Sequence, residues 1–205
     1  ANEPSPGRGS NPTHRFRSQN NGRTAVTTTD EYPGELECDV TLADRRQLHI
    51  RPLRPDEEGP VRELDARLSP RTRYLRFLSP MPSLPDSMLR LLVSVDYRRR
   101  LSLIAEVEAS GHREVIALGS FGAIDSGTAE VALVVSDAWQ RQGIGTILAR
   151  AILQAAEDRG FAQFVAHMLW ENTVMRRLLK RVGHVVSSRS SFGTSEITFV
   201  RRVAA

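Results

Sequence analysis

The stretch from Ala129 to Thr146 constrains this chain more than any other. Ala129-Glu130-Val131-Ala132-Leu133-Val134-Val135 is an apolar run suited to a buried strand. Ser136-Asp137-Ala138-Trp139 breaks the run, and Gln140-Arg141-Gln142-Gly143-Ile144-Gly145-Thr146 opens a long helical pattern. In that helix Ile144, Ile147, Leu148, Ala151, Ile152 and Ala155 form one apolar stripe, and Gly160 stops it. The first turn of a helix carries unpaired N–H groups and a partial positive charge. Two glycines there let a ligand approach the backbone closely, so the physical expectation is a phosphate or pyrophosphate site. Two familiar phosphate loops fail. A Walker A loop needs Gly-Lys-Ser/Thr, but Thr146 follows Gly145. A dinucleotide fingerprint needs a small residue where Leu148 stands. On the loop alone, a helix that merely starts at a glycine turn is an equally good account.

The surroundings narrow the choice. Glu37–Leu42 and Gln47–Leu53 alternate as strands, with Asp44-Arg45-Arg46 as a hairpin turn between them. Helical patterns follow at Asp56–Leu68, Arg71–Leu78 and Asp86–Val95. Leu101–Ala109, Glu114–Ile124 and Thr128–Val135 then read as three consecutive strands, joined at Gly111-His112 and Asp125-Ser126-Gly127. Beyond the long helix come a strand at Phe164–Leu169, a helix at Asn172–Arg181, and strands at His184–Ser188 and Ile197–Val200. This order specifies an α/β fold with a mixed, mainly antiparallel sheet flanked by helices. Residues 1–30 are rich in Asn, Ser, Thr, Pro and Gly and poor in large apolar side chains, so they read as a flexible tail before a domain at 31–205.

Composition excludes several classes. The chain has 28 basic and 24 acidic residues, and half of its net charge of +4 falls in the tail. The remainder is too weakly basic to argue for nucleic acid. Lys180 is the only lysine, and coding bias is the plain account of the arginine excess. No apolar run approaches the roughly 20 residues that span a bilayer, and the first residues lack a signal-peptide core. The single cysteine, Cys38, excludes an internal disulfide and any zinc site of paired cysteines. The histidines show no metal-ligand spacing, so no metal is expected, and the composition suits the cytoplasm.

Gln140-x-x-Gly143-x-Gly145 after a strand resembles the pyrophosphate loop of the GNAT acetyltransferase superfamily. Downstream, Asn172-Thr173-Val174-Met175-Arg176-Arg177-Leu178-Leu179-Lys180-Arg181-Val182-Gly183 resembles that superfamily's second signature. A narrower resemblance lies upstream. Tyr32-Pro33-Gly34-Glu35-Leu36-Glu37, Ile50-Arg51-Pro52-Leu53-Arg54-Pro55-Asp56, Leu68-Ser69-Pro70-Arg71-Thr72-Arg73-Tyr74-Leu75-Arg76-Phe77 and Val95-Asp96-Tyr97 look like the acetyltransferase domain of bacterial protein-lysine acetyltransferases.

The resemblance implies a GNAT-type sheet whose splayed strand pair forms an acetyl-CoA cleft. It implies that backbone groups of Leu133 and Val135 pair with the pantetheine arm. Gln140, Arg141, Gln142, Gly143, Ile144, Gly145 and Thr146 would hold the pyrophosphate, with Arg141 supplying charge. Asn172 would bond the arm near the thioester as well as capping its helix. Arg176 would reach the CoA phosphates or simply line a solvated helix face. An N–H near Leu133 or Val134 would stabilise the oxyanion. The superfamily's usual tyrosine acid is replaced by Leu179. The implied acceptor is a protein with an exposed lysine, acetyl-CoA-synthetase-like by analogy, and the oligomeric state is left open.

Glu130 is the candidate general base. A lysine amine has a pKa near 10.4 and must lose a proton before attacking a thioester. Glu130 is the only acid within or bordering Val131–Val135, and the two-residue period puts it on one strand face with Ala132 and Val134. A glutamate at this strand position is the general base in the resembled family. His167, Glu171 and Asp125 are secondary candidates. Arg98-Arg99-Arg100 reads first as a solvated turn, and second as a steering patch for an acidic surface or the CoA phosphates. Two other functions remain open at this point: acetylation of a small amine, and acyl-CoA binding without catalysis.

Overall fold

A computed structural model describes residues 31–109 and 111–202. The tail at 1–30 lies outside the described residues. Eight strands form one sheet: β1 (Cys38–Thr41), β2 (Gln47–Pro52), β3 (Arg100–Ala109), β4 (His112–Ala123), β5 (Thr128–Val135), β6 (Gln163–Leu169), β7 (Gly183–Ser191) and β8 (Thr194–Arg201). Their order is β1-β2-β3-β4-β5-β6-β8-β7. Every neighbouring pair is antiparallel except β5 and β6, which are parallel. Five helices cover the sheet: α1 (Glu58–Ala66), α2 (Pro70–Phe77), α3 (Asp86–Val93), α4 (Ile144–Glu157) and α5 (Thr173–Val182). The expected mixed, mainly antiparallel architecture is what the chain adopts.

Helix α4 forms where the apolar stripe predicted it. Ile144, Leu148, Ile152 and Ala155 are buried and face β3, β4 and β5 together with α5 residues Leu179 and Val182. Truncating Leu148 to Ala there would remove about 2–5 kcal/mol of stability. The opposite sheet face carries a smaller core, in which Val61 and Leu64 of α1 and Leu89 and Val93 of α3 pack on Ile104, Val115, Leu118 and Val134. Being covered on both faces, β3 is an almost unbroken buried run rather than an alternating one. Its one buried acid, Glu106, is matched by Arg51, whose guanidinium reaches both Glu106 and Glu57 at 3.0 and 2.8 Å. This pairing ties the start of α1 to the sheet.

The second core stops near β5. On that face, among the described residues, α2 packs against β5 and β6. Strand β7 is the sheet edge and is exposed on both faces over most of its length.

Candidate active site

Strands β5 and β6 pair over three rungs only: Thr128 with Gln163, Ala129 with Phe164, and Glu130 with Val165. Beyond Glu130 the strands separate, although β5 runs on to Val135 and β6 to Leu169. The result is a fork in the middle of the sheet. Its backbone chemistry follows from register. Ser136 N–H donates to Ile116 O on the β4 side at 2.8 Å. Antiparallel pairing alternates every second residue, so Val134, opposite Leu118, also turns its peptide groups towards β4. Leu133 and Val135 therefore turn theirs into the fork, where the Val135 carbonyl accepts from Gln140 Nε2. Of the two N–H groups named for the oxyanion, Leu133 faces the fork and Val134 faces β4.

Side chains alternate in the same way. Ala129, Val131 and Val135 enter the core beneath α4 and α5, whereas Val134 enters the other core. Glu130 shares the face of Val134 and is half-buried at the base of the fork. Cross-strand pairing extends this face outward: Val165 stands opposite Thr198, and His167 opposite Glu196, which in turn faces Arg189. His167 and Arg189 are exposed, so the face is shallow and open. His167, a secondary candidate from sequence, thus lies on the same face as Glu130. The other two secondary acids are engaged elsewhere. Glu171 pairs with Arg71 at 2.8 Å. Asp125 holds the β4–β5 turn by accepting from Gly127 N–H and Thr128 N–H, both at 2.8 Å, and those bonds keep its carboxyl below the usual range.

The loop between β5 and α4 follows the path its glycines allow. Arg141 and Gly143 both adopt positive φ, 64° and 86°. Gly143 caps α4 in the left-handed region, where a side chain would be strained. The first amides bonded to the Gly143 carbonyl belong to Thr146 and Ile147, so the N–H groups of Ile144 and Gly145 precede the helical ladder. Gly145 has a second reason to be glycine: a Cβ there would sit 3.2 Å from Leu178 Cδ1, where α5 crosses the start of α4. Arg141 is exposed beside these amides.

Two of the proposed phosphate-loop glutamines shape the loop with their side chains. Gln140 Nε2 donates to Val135 O at 3.0 Å and to Thr72 Oγ1 at 3.1 Å. Gln142 Nε2 donates to Ala138 O at 3.0 Å and its Oε1 accepts from Arg46 at 2.6 Å. Arg46 also stacks over Trp139, 3.9 Å from the ring centroid. Sequence reading left Arg46 as a turn residue, and nothing local in the β1–β2 hairpin signalled a partner so far along the chain.

On α5, Asn172 is the N-cap: its Oδ1 accepts from Met175 N–H at 3.0 Å, leaving its amide nitrogen to donate elsewhere. Arg176 donates to Trp170 O at 2.8 Å, at the end of β6. Leu179 is buried and lines a narrow apolar pocket with Val131, Leu133, Met175 and Phe199. No phenol occupies that position.

Helix α2 straddles the fork and is tied to both strand exits. Asp137, just after β5, accepts from Ser69 N–H at 2.8 Å and from Ser69 Oγ and Thr72 Oγ1 at 2.7 Å each. Burial pushes its carboxyl up, but these bonds outweigh that and hold it below the usual range. Glu171, just after β6, is held by Arg71. The three arginines at 98–100 lie at the other end of the sheet, where Asp96 Oδ1 accepts all three of their amides. That end is remote from the start of α4. Cys38 is exposed on the edge strand β1, and burial followed by the Asp39 charge pushes its thiol up, against a nucleophilic role. Among the described residues no cluster of His, Cys, Asp and Glu is placed to hold a metal ion, and no helix is long and apolar enough to cross a membrane.

The profile of the acetyltransferase (GNAT) family matches residues 70–184, which include α2, the fork and both signatures. The acetyltransferase PA5475 of Pseudomonas aeruginosa is 30% identical over 146 residues, covering 71% of this chain and 78% of that protein. The acetyltransferase Pat of Mycolicibacterium smegmatis is 31% identical over 139 residues, covering 67% of this chain but only 41% of that longer protein. The crystal structure of the GNAT domain of S. lividans PAT superposes with a TM-score of 0.73 at 27% identity, covering 83% of this chain and 99% of that one.

Proposed function

The chain belongs to the GNAT acetyltransferase family, and within it we propose that this enzyme moves the acetyl group of acetyl-CoA onto the ε-amine of a protein lysine. The observation that carries the reading is the position of Glu130. It stands at the last rung of the fork, on the face that opens over His167, Glu196 and Arg189. A shallow face of this kind suits the side chain of a folded protein better than a small amine, which needs walls around it.

The donor would lie in the fork. The outward carbonyl of Leu133 and N–H of Val135 pair with the pantetheine arm, the Val135 carbonyl being held by Gln140 Nε2. The free N–H groups of the first turn of α4, with Arg141 beside them, take the pyrophosphate. The acceptor ammonium gives a proton to Glu130, directly or through one water. The free amine then attacks the thioester carbonyl, the C–N bond forms, and the Leu133 N–H stabilises the oxyanion. Collapse breaks the C–S bond, and the amide nitrogen gives up its second proton to water. The leaving thiolate has a pKa near 8.5 and takes a proton from water, which suits a site where Leu179 replaces a phenol.

The reading places the protein in the cytoplasm, with an acetyl-CoA-synthetase-like acceptor as the first to try. The test is CoA release from acetyl-CoA with a panel of acceptors: an AMP-forming acetyl-CoA synthetase, polyamines and amino acids. Release with the protein alone, abolished by Glu130→Gln, supports the reading. Release with a small amine alone keeps the donor chemistry and overturns the acceptor. Binding of CoA with no transfer to any acceptor overturns catalysis.

A further inference from the structure

The corner of the molecule where β6 ends and the β7–β8 hairpin turns holds large apolar side chains in the open. Trp170, directly after β6, is 63% exposed, and Val174, in the first turn of α5, is exposed as well. Phe192, at the hairpin tip, is 96% exposed. The tip is fastened to Trp170. Trp170 N–H donates to Gly193 O at 3.0 Å, and a Cβ on Gly193 would lie 3.9 Å from Trp170 Cδ1. Phe192 also occupies a backbone that does not favour it. Ser191 pairs with Thr194, so Phe192-Gly193 is a two-residue turn, and both residues adopt positive φ, 47° and 81°. Such turns favour Asn-Gly, because a bulky side chain is strained in the left-handed region. A strained aromatic ring left in water adds little to folding, and its use lies outside the chain.

Charge and position together identify the partner. From Asn172 to Ser195 the chain carries five Lys and Arg residues and no acid. Arg177, Arg181 and Arg189 among them are exposed. The acids that border this stretch are already answered: Glu171 pairs with Arg71 at 2.8 Å, and Glu196 stands opposite Arg189. Trp170 lies five residues past Val165, the partner of Glu130, which is about 17 Å along the strand. A standard protein interface covers about 800 Å² per partner, a patch roughly 30 Å across. A folded acceptor whose lysine reaches Glu130 therefore covers this corner too. Strand addition is disfavoured, because β7 shifts register between Val185 and Ser187, and such a bulge blunts a sheet edge.

We propose that Trp170 and Phe192 are docking anchors for the protein acceptor, which meets them with an apolar side chain ringed by carboxylates. This inference rests on the acceptor being a protein. The two rings bury apolar area and supply affinity. The surplus cations of α5 and β7 draw in an acidic surface and orient it, so that the target lysine arrives over Glu130.

The experiment measures steady-state acetyl transfer to an AMP-forming acetyl-CoA synthetase by the parent, Phe192→Asn and Trp170→Ser. Phe192→Asn gives the turn a residue it favours, so its melting temperature should equal or exceed that of the parent. In each variant KM for the synthetase should rise about tenfold, while kcat and KM for acetyl-CoA stay unchanged. In the parent, KM for the synthetase should rise as salt is raised from about 0.05 M to about 0.5 M. A synthetase KM that Phe192→Asn leaves unchanged overturns the proposal. With that KM unchanged, a parent dimer that Phe192→Asn dissociates assigns the corner to a second copy. Loss of binding to phosphatidylglycerol vesicles in the variant would instead assign it to a lipid surface. A rise confined to KM for acetyl-CoA places the cosubstrate there and overturns the proposal equally. A synthetase KM indifferent to salt overturns the acidic partner. No transfer to the synthetase by the parent overturns the acceptor assignment beneath the proposal, whatever Phe192 does.

Discussion

Glu130 and Val165 are the last paired residues of β5 and β6. Past that rung the two strands part, and α2 bridges them from one side. Its first turn is fastened to the exit of β5 through Asp137 and to the exit of β6 through Glu171. The only carboxylate on β5 therefore sits where the fork and the open face over His167 meet.

If that placement serves proton transfer, Glu130→Gln removes the base while keeping shape and hydrogen-bonding reach. Turnover should fall by about 10²–10⁴-fold. Acetyl-CoA affinity, measured by calorimetry, should stay unchanged, because the proposed donor contacts lie on the peptide groups of Leu133 and Val135 and the start of α4. A matched loss of affinity and turnover would point to a structural role.

Arg141 offers a test of the phosphate end. It is exposed beside the first amides of α4 and adopts a φ of 64°. Asn tolerates that backbone conformation, so Arg141→Asn removes the charge without straining the loop. Acetyl-CoA binding should weaken by about 1 kcal/mol, roughly fivefold. The difference should shrink as salt is raised, since an exposed charge is screened within about 10 Å at 0.1 M.

The parts of this protein that sequence revealed are those whose signal is periodic or local. The stripe of α4, the alternation of β2 and the glycine loop all depend on near neighbours in the chain. Strand β7 runs from Gly183 to Ser191, well past the expected His184–Ser188, because a sheet edge exposed on both faces carries no apolar rhythm. The side-chain work of Gln140 was hidden for another reason. Its partner Thr72 is 68 positions away, and only the fold brings α2 over the loop. Arg46 with Gln142 was illegible for the same cause, a pairing 96 positions apart that leaves no spacing to read.

Asp65 tests how firmly α2 is seated. Its carboxylate accepts from Arg73 and from Leu84 N–H at 3.0 Å, and both Asp65 and Arg73 are buried. Asp65→Ala leaves the Arg73 guanidinium buried without its charge partner, which costs about 3–5 kcal/mol. For a chain of this size the melting temperature should drop by roughly 6–20 °C. Replacing the pair together, with Asp65→Leu and Arg73→Met, should recover much of that loss. Recovery in the double variant distinguishes an uncompensated charge from a general disruption of α2.

Asp137 gives the acid dependence of the same helix. Its carboxyl is held below the usual range by Ser69 and Thr72 in the folded protein, against the upward push of burial. A carboxyl lowered on folding contributes stability above its unfolded pKa of about 3.9 and loses it as pH falls through the folded value. The group is exposed, so solvent screening limits its contribution to about 1–2 kcal/mol. Asp137→Ala should therefore be less stable than the parent by that amount at pH 7. The two stability curves, measured by urea unfolding, should converge as the pH is lowered from about 4 through the depressed value. Because Gln140 shares Thr72 with Asp137, the variant should also loosen the phosphate loop and weaken acetyl-CoA binding at pH 7. Wild-type affinity in a destabilised Asp137→Ala would show that α2 and the loop are seated independently.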